Sequence, residues 1–92
     1  MAFGSYIRMK REEAGLSLTD FARRIDISPA YWSRIEREME KAPKDDLIVK
    51  AAAVLSLDVD DLFIEASRLP PDMQRDVAGV VHAYRKLKPG DR

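Results

Sequence analysis

The chain has 92 residues, an apolar fraction of 46% and a formal net charge of zero, from 16 basic and 16 acidic side chains. This length suits one compact domain, and the apolar fraction is too high for a disordered chain. The sequence has no cysteine and a single histidine, His82, which excludes disulfides and thiolate metal sites and argues against a zinc site. We therefore expect no metal and no cofactor.

The charge is divided unevenly between the two halves of the chain. Residues 1–44 carry nine basic and seven acidic side chains, and residues 45–92 carry seven and nine. Zero net charge argues weakly against a nucleic-acid binder, but binding depends on which face carries the charge. No apolar run reaches the roughly 20 residues that cross a bilayer, and the first residues become polar too soon for a secretory signal. We expect a cytoplasmic protein without membrane contact.

Apolar residues recur at helical spacing along the whole chain, and no segment alternates with period two for long. The sequence therefore predicts an all-α fold. Gly15 is a natural left-handed stop for the first helix, and Asp58 is the cap of the fifth. The six predicted helices cover about residues 3–14, 18–25, 29 to 36 or 37, 45–55, 59 onward, and 71–88.

The most informative segment is residues 17–38, where two short helices each follow a serine. Ser17 and Ser28 are the predicted N-caps, Asp20 completes a capping-box spacing, and Pro29 suits the first helical position. The turn between these helices is too short for antiparallel packing, so they must cross steeply as a helix-turn-helix. Asp26 stands where this turn usually has glycine, because aspartate tolerates a left-handed backbone.

Trp32 and an apolar stripe on the sixth predicted helix indicate which side chains are buried and which form a surface. Trp32 shares the inner face of the third predicted helix with Ile35, so we expect it in the core. The sixth predicted helix has a long apolar stripe that either caps the core or forms a dimer interface, and we favour the interface because five helices already complete a domain. Its members are Met73, Val77, Val80, Val81, Tyr84 and Leu87. No nucleophile–base pair stands out, His82 fits a surface or interface position, and we expect no enzyme.

Several motifs between Gly15 and Arg37 resemble those of a known family. The stretch from Ile7 to Phe63 is similar to the xenobiotic-response-element (XRE) family, the fold of phage repressors and Cro proteins. The resemblance implies a five-helix repressor-like DNA-binding domain over residues 1–67. Residues 68–92 then contain the sixth predicted helix, which is a candidate dimerisation element because of its apolar stripe. It is carried by Gly15-Leu16-Ser17, Phe21-Ala22, Ile25-Asp26-Ile27-Ser28, Tyr31-Trp32-Ser33 and Ile35-Glu36-Arg37.

The resemblance also implies roles for single residues. The third helix would enter the major groove, with Arg34 bonding guanine and Ala30 touching a thymine methyl group. Glu36 would form an ion pair with Arg11. The remaining positions implied to face bases or the phosphate backbone are Ser17, Thr19, Ser28, Pro29, Tyr31, Ser33, Arg37, Lys41 and Lys44.

Two functions follow from this resemblance. The first is a homodimeric transcriptional regulator, expected to be a repressor, that binds a palindromic double-stranded operator with half-sites one helical turn apart. The second is a protein-interaction module on the same fold, like an antitoxin or antiactivator, with weak DNA binding. Zero net charge favours the second hypothesis, as does Leu18, which stands where the family often has a polar residue that contacts phosphate. Glu38 and Glu40 also favour it, because we expect them to place negative charge near the DNA side. A protein partner is compatible with both hypotheses.

Overall fold

The computed structural model describes residues 2–87, and in this range every regular element is an α-helix. The all-α prediction is confirmed. The first five predicted helices begin where the observed ones begin, and the first four end within about one residue of the observed ends. The helices are α1 (Phe3–Glu13), α2 (Leu18–Arg24), α3 (Pro29–Glu36), α4 (Asp45–Leu55), α5 (Val59–Glu65), α6 (Pro71–Gln74) and α7 (Val77–Leu87).

The prediction of one continuous helix over residues 71–88 is wrong, because the chain breaks between α6 and α7. Asp76 begins the second helix: its Oδ1 accepts from the Gly79 N–H at 3.1 Å, and its carbonyl accepts from the Val80 N–H at 3.0 Å. This is the bonding of an N-cap residue, and it competes with continuation of α6. The apolar stripe runs across the break, so periodicity alone did not reveal it. Lys88, the predicted end, lies outside the described residues.

The core is formed by α1 to α5. Trp32, Phe21 and Phe63 are fully buried at its centre, which confirms the prediction for Trp32. Leu16, Ile27 and Leu57, each just after a helix, pack against the core from its edge. Neither α6 nor α7 contains a buried residue.

The five core helices all end in the same kind of turn. One or two residues after the last helical residue the backbone is left-handed, and the next N–H donates to a carbonyl five residues back, as Ile27 does to Ala22 at 3.0 Å. This is the Schellman arrangement. The left-handed residues are Gly15, Asp26, Glu38, Ser56 and Ser67. The prediction for Asp26 is therefore confirmed, and only the first of the five positions is a glycine.

The segment after α5 is fastened to the loop that precedes α4. Arg68 donates from Nη2 to the Ala42 carbonyl at 2.6 Å and from Nη1 to the Pro43 carbonyl and to Asp45 Oδ1. Gln74 Nε2 donates to Asp45 Oδ2 at 3.1 Å. These bonds hold α6 beside α4. The described chain is elongated, with extents of 47, 24 and 23 Å along its three principal axes. Within residues 2–87, no helix combines the length and apolarity needed to cross a membrane.

Candidate nucleic-acid interface

Helices α2 and α3 form the predicted helix-turn-helix. Ser17 Oγ accepts from the Asp20 N–H at 3.0 Å, and Ser28 Oγ accepts from the Tyr31 N–H at 3.1 Å, so both predicted N-caps are present. The two helices meet through the rings of Phe21 and Trp32, whose centroids are 5.0 Å apart. Because one ring from each helix lies in the core, the outer face of α3 has a fixed position relative to α2.

The inner side of α3 is fixed by a buried carboxylate. Glu36 accepts from Arg11 Nε at 2.7 Å and Nη2 at 2.9 Å, and from the Trp32 indole Nε1 at 2.6 Å. The predicted Arg11–Glu36 pair is thus confirmed, and Arg11 also donates to the Leu16 carbonyl at 2.8 Å. The hydrogen bond that Arg11 donates to Glu36 raises the pKa of the guanidinium above its ordinary value, against the opposing effect of burial. The network ties α3 to α1.

Five of the residues implied to contact DNA lie at the N-terminal ends of α2 and α3. Ser17, Thr19, Ser28 and Ala30 are exposed, Pro29 is half-buried, and all five lie in the first turn of α2 or α3 or immediately before it. Ser17 and Ser28 use an oxygen lone pair for capping, so each hydroxyl hydrogen remains available to an acceptor such as phosphate.

Further along α3, the side chains are partly covered. Tyr31 packs against the core, Ser33 and Arg34 are half-buried, and Arg37 is exposed. Arg37 Nε lies 3.4 Å from the Ser33 carbonyl, a weak bond that leaves most of the guanidinium in solvent. The predicted residues of α2 and α3 are thus exposed or half-buried at the start of α2 and along α3, with Arg37 just past the end of α3.

Arg34, the predicted base reader, has two neighbours in the protein. Its Nε lies 3.3 Å from Glu40 Oε2, and both side chains are about two-fifths exposed, at 42% and 43%. Its guanidinium carbon lies 5.9 Å from the centre of the Tyr31 ring. An ion pair with this exposure contributes little to stability, but it does set the direction in which the guanidinium points. No sequence pattern indicated this pair, because the two residues are six apart and lie on either side of a turn.

Glu38, which we expected near the DNA side, points towards α1 instead. Its Oε2 accepts from the Ser5 backbone N–H at 2.8 Å and from Ser5 Oγ at 3.1 Å. The carboxylate therefore satisfies an orphan donor at the N-terminus of α1 and lies at the positive end of its dipole. Gly4 beside it lets α1 approach closely, since a Cβ there would overlap the Ile35 carbonyl and leave 2.9 Å to Glu38. The sequence did not reveal this contact because Glu38 and Ser5 are 33 residues apart and share no local pattern.

Lys41 and Lys44 lie in the loop between α3 and α4, and both are exposed. The loop borders a surface groove of about 1180 Å³, whose other side is formed by Arg68, Leu69 and Gln74. Arg68 holds the loop through two of its carbonyls, so this arginine positions the two lysines. Sequence reasoning missed Arg68, because its partners lie 23 to 26 residues away and have no local pattern.

The described residues contain no group of three or more histidine or acidic side chains arranged to hold a metal ion. The chemistry of this surface is that of hydroxyls, two lysines and two arginines around a helix end. Such groups donate hydrogen bonds to phosphate and to base edges.

Comparison with known proteins agrees with this architecture. Residues 7–62 match the family model described as helix-turn-helix. The chain is 32% identical over 78 residues to an uncharacterised HTH-type transcriptional regulator of Mycobacterium tuberculosis. That match covers 85% of this chain but 55% of the relative, so the chain spans about half the length of this curated relative.

Two solved structures share the fold. The crystal structure of SinR, a master regulator for biofilm formation, in complex with DNA has a TM-score of 0.62 and 33% identity, over 66% of this chain and 97% of that one. The complex of SinR with SinI has a TM-score of 0.63 and 26% identity, over 92% of this chain and 89% of that one. With the caps, the turn and the buried Arg11–Glu36 pair in place, and with more than half of its residues matched, the chain belongs to the helix-turn-helix family of the XRE type.

Proposed function

We propose that this protein is a DNA-binding transcriptional regulator that acts by occupying an operator rather than by catalysis, in the cytoplasm. The observation that carries the proposal is the exposed N-terminal end of α3, held rigidly against α1 and α2 by Glu36 and the Phe21–Trp32 contact. A helix presented in this way can enter the major groove, which accommodates one α-helix. A SinR structure with DNA supports the same mode of action.

In this proposal α3 reads bases with a small set of side chains. Arg34 donates to O6 and N7 of a guanine, and Ala30 contacts a thymine methyl group. Pro29, Tyr31 and Ser33 flank these two residues and contribute shape and van der Waals contact. Since few of these side chains donate hydrogen bonds, most of the base specificity falls on Arg34.

Phosphate contacts surround the reading helix. Ser17, Thr19 and Ser28 present exposed hydroxyls at the start of α2 and α3, and they would bond phosphate on one side of the groove. Arg37, Lys41 and Lys44 are exposed at the other end of α3 and in the following loop. These cations supply the charge that a protein of zero net charge would otherwise lack at its DNA face.

We further propose that residues 1–67 form the DNA-binding unit and that residues 68–92 associate two copies. Met73, Val77, Val81, Tyr84 and Leu87 expose large apolar side chains in α6 and α7, while Val80 is half-buried. An apolar surface of this kind usually marks an interface. A two-fold dimer through α7 would place two copies of α3 on a palindromic operator, and occupancy of a promoter would repress it.

A second function is favoured by the same apolar surface. If α7 binds a different protein, the chain is an interaction module of the antitoxin or antiactivator type. The SinR–SinI complex is a precedent for a protein partner on this fold. In that case the apolar residues of α7 meet a heterologous surface, and DNA affinity is weak or regulated by the partner.

Selection of bound duplexes from a random pool tests the proposal, because it detects binding and reports the half-site together. A regulator enriches one sequence, and its affinity for that duplex falls steeply with salt as counterions are released. An interaction module enriches nothing above the random pool. If no sequence is enriched, or if binding does not depend on salt, the DNA-binding proposal is wrong.

A further inference from the structure

We propose that Glu40 is a positioning residue for Arg34, and that it makes base recognition by this arginine selective. The inference rests on the proposed function, since it concerns how Arg34 contacts a base. Glu40 was expected only to add negative charge near the DNA. In the structure it engages the Nε side of the guanidinium, which leaves the two Nη groups for the base.

The position of Glu40 is fixed by the turn that ends α3. Glu38 takes a left-handed backbone with φ of 65°, and the Met39 N–H donates to the carbonyl of Arg34 itself at 2.8 Å. The chain thus reverses over the residue whose side chain Glu40 contacts. This reversal brings Glu40 back towards α3, where its carboxylate lies beside the Arg34 guanidinium.

The Arg34 guanidinium is contacted by Glu40 at its Nε edge and by the Tyr31 ring at its face. Glu40 Oε2 lies 3.3 Å from Nε, which is the atom of Arg34 that donates to this carboxylate. The ring of Tyr31, itself packed against the core, lies 5.9 Å from the guanidinium carbon. Guanine O6 and N7 need two parallel N–H donors in one plane, which the Nη groups supply end-on.

The negative charge of Glu40 disfavours contact between Arg34 and a DNA phosphate. An arginine without restraint binds phosphate at any sequence, and this contributes to non-specific affinity. With Glu40 beside it, moving Arg34 to a phosphate either breaks the pair or brings two anions together. The pair is weak in water but strengthens once DNA displaces solvent, because the local dielectric constant falls. Glu40 therefore lowers affinity for random DNA while it favours one base.

Glu40→Ala in the full chain tests this inference, with the duplex recovered by selection as the probe. Affinity is measured for that duplex, for the three versions changed at the base pair that Arg34→Ala relaxes, and for random duplex, each at several salt concentrations. Glu13→Ala is the control, since Glu13 is an exposed carboxylate of α1 that pairs with Lys10. Circular dichroism verifies that each variant is folded.

We expect wild type to prefer its base pair by about 5- to 150-fold, the range of one bidentate contact. Glu40→Ala should reduce this preference by about three- to tenfold, tighten binding to random duplex, and steepen the salt dependence by about one phosphate contact. Glu13→Ala should leave the preference unchanged. In an Arg34→Ala background, Glu40→Ala should no longer alter the preference at that base pair.

The outcomes distinguish failure of the role assigned to Glu40 from failure of the proposed DNA-binding function. If Arg34→Ala relaxes one base pair but Glu40→Ala leaves the preference unchanged or increases it, Arg34 reads a base and the role assigned to Glu40 is wrong. If Arg34→Ala relaxes no base pair although a duplex is enriched, the role of both residues is wrong and DNA binding stands. If no duplex is enriched, the inference fails together with the proposed function.

Discussion

Arg11 and Glu36 form a bidentate ion pair across the core, with Nε–Oε2 and Nη2–Oε1 distances of 2.7 and 2.9 Å. The pair joins α1 to α3, the helix that we propose to read DNA. The indole of Trp32 donates to the same Glu36 Oε2 at 2.6 Å, so the carboxylate has three donors. Removal of either charge therefore affects more than two residues.

Arg11→Met should lower the free energy of unfolding by about 3–5 kcal/mol, because Glu36 keeps its charge in the core with one remaining side-chain donor. Arg11→Met with Glu36→Leu should recover part of this loss. It should stay about 1–3 kcal/mol below wild type, since the Trp32 N–H loses its acceptor. Urea unfolding, followed by fluorescence of the single tryptophan, measures all three proteins. The upward pKa shift of Arg11 means that its contribution is complete below the ordinary arginine pKa and fades only at higher pH.

Arg11→Met with Glu36→Gln is the matched control, because glutamine keeps an acceptor for the indole without a charge. This double variant should be more stable than Arg11→Met with Glu36→Leu. A leucine variant as stable as wild type would show that the Trp32 hydrogen bond contributes nothing. Strictly additive effects of the Arg11 and Glu36 substitutions would show that the two side chains do not interact.

Arg34→Ala should weaken binding to the selected operator by about 1–3 kcal/mol and relax the preference at one base pair. Arg37→Ala is the comparison, because Arg37 is exposed at the other end of α3 and is proposed to contact phosphate. It should weaken all sequences about equally and reduce the salt slope by about one contact. Titration of labelled duplexes gives both numbers. Equal operator affinity of wild type and Arg34→Ala rules out Arg34 as a base reader.

Ser56→Gly and Glu38→Gly should differ, although both residues have a left-handed backbone. Glycine relieves a strain of about 1–2 kcal/mol at such a position, so Ser56→Gly should stabilise the protein by up to about 1 kcal/mol, after the entropy cost of glycine. Glu38→Gly also removes the acceptor of the Ser5 N–H, which costs about 0.5–2 kcal/mol, and should give little gain or a loss. Thermal unfolding distinguishes them. A Glu38 variant that gains as much as the Ser56 variant would mean that the contact with α1 is not stabilising.

Val81→Glu should convert a dimer into a monomer, because a charge in a two-fold interface meets its own copy. Operator binding should fall much more than non-specific binding, while the five-helix core stays folded, since α7 has no buried residue. His82→Glu, exposed on the opposite face of α7, should leave the dimer intact. Sedimentation at micromolar concentration is the measurement. A monomeric wild type would contradict the proposed interface.

Most of the fold could be predicted because its determinants are local. Ser17, Ser28 and Asp58 cap the helices that follow them, and apolar spacing identifies the buried side chains. The Arg11–Glu36 pair came from the family resemblance and not from spacing. The break at Asp76 was missed because a single capping side chain interrupts an otherwise regular stripe.

The unpredicted parts of the candidate site are contacts between distant residues. Glu38 reaches Ser5, and Arg68 reaches the carbonyls of residues 42 and 43. No short pattern in the sequence contains both partners of such a contact. The Arg34–Glu40 pair is closer in sequence, but it depends on a left-handed turn at a residue that is not glycine, so the reversal of the chain could not be inferred from composition.

Helix α7 buries none of its described side chains fully. It has 11 residues, and most of the stability of such a helix in a protein comes from packing of its apolar face. Its order must then depend on what covers its apolar side, and helix formation and association become one equilibrium. Any macromolecule that binds there contributes part of its binding energy to ordering the helix. Affinity at α7 is consequently tunable by helix propensity, at exposed positions such as His82 that the bound surface need not touch.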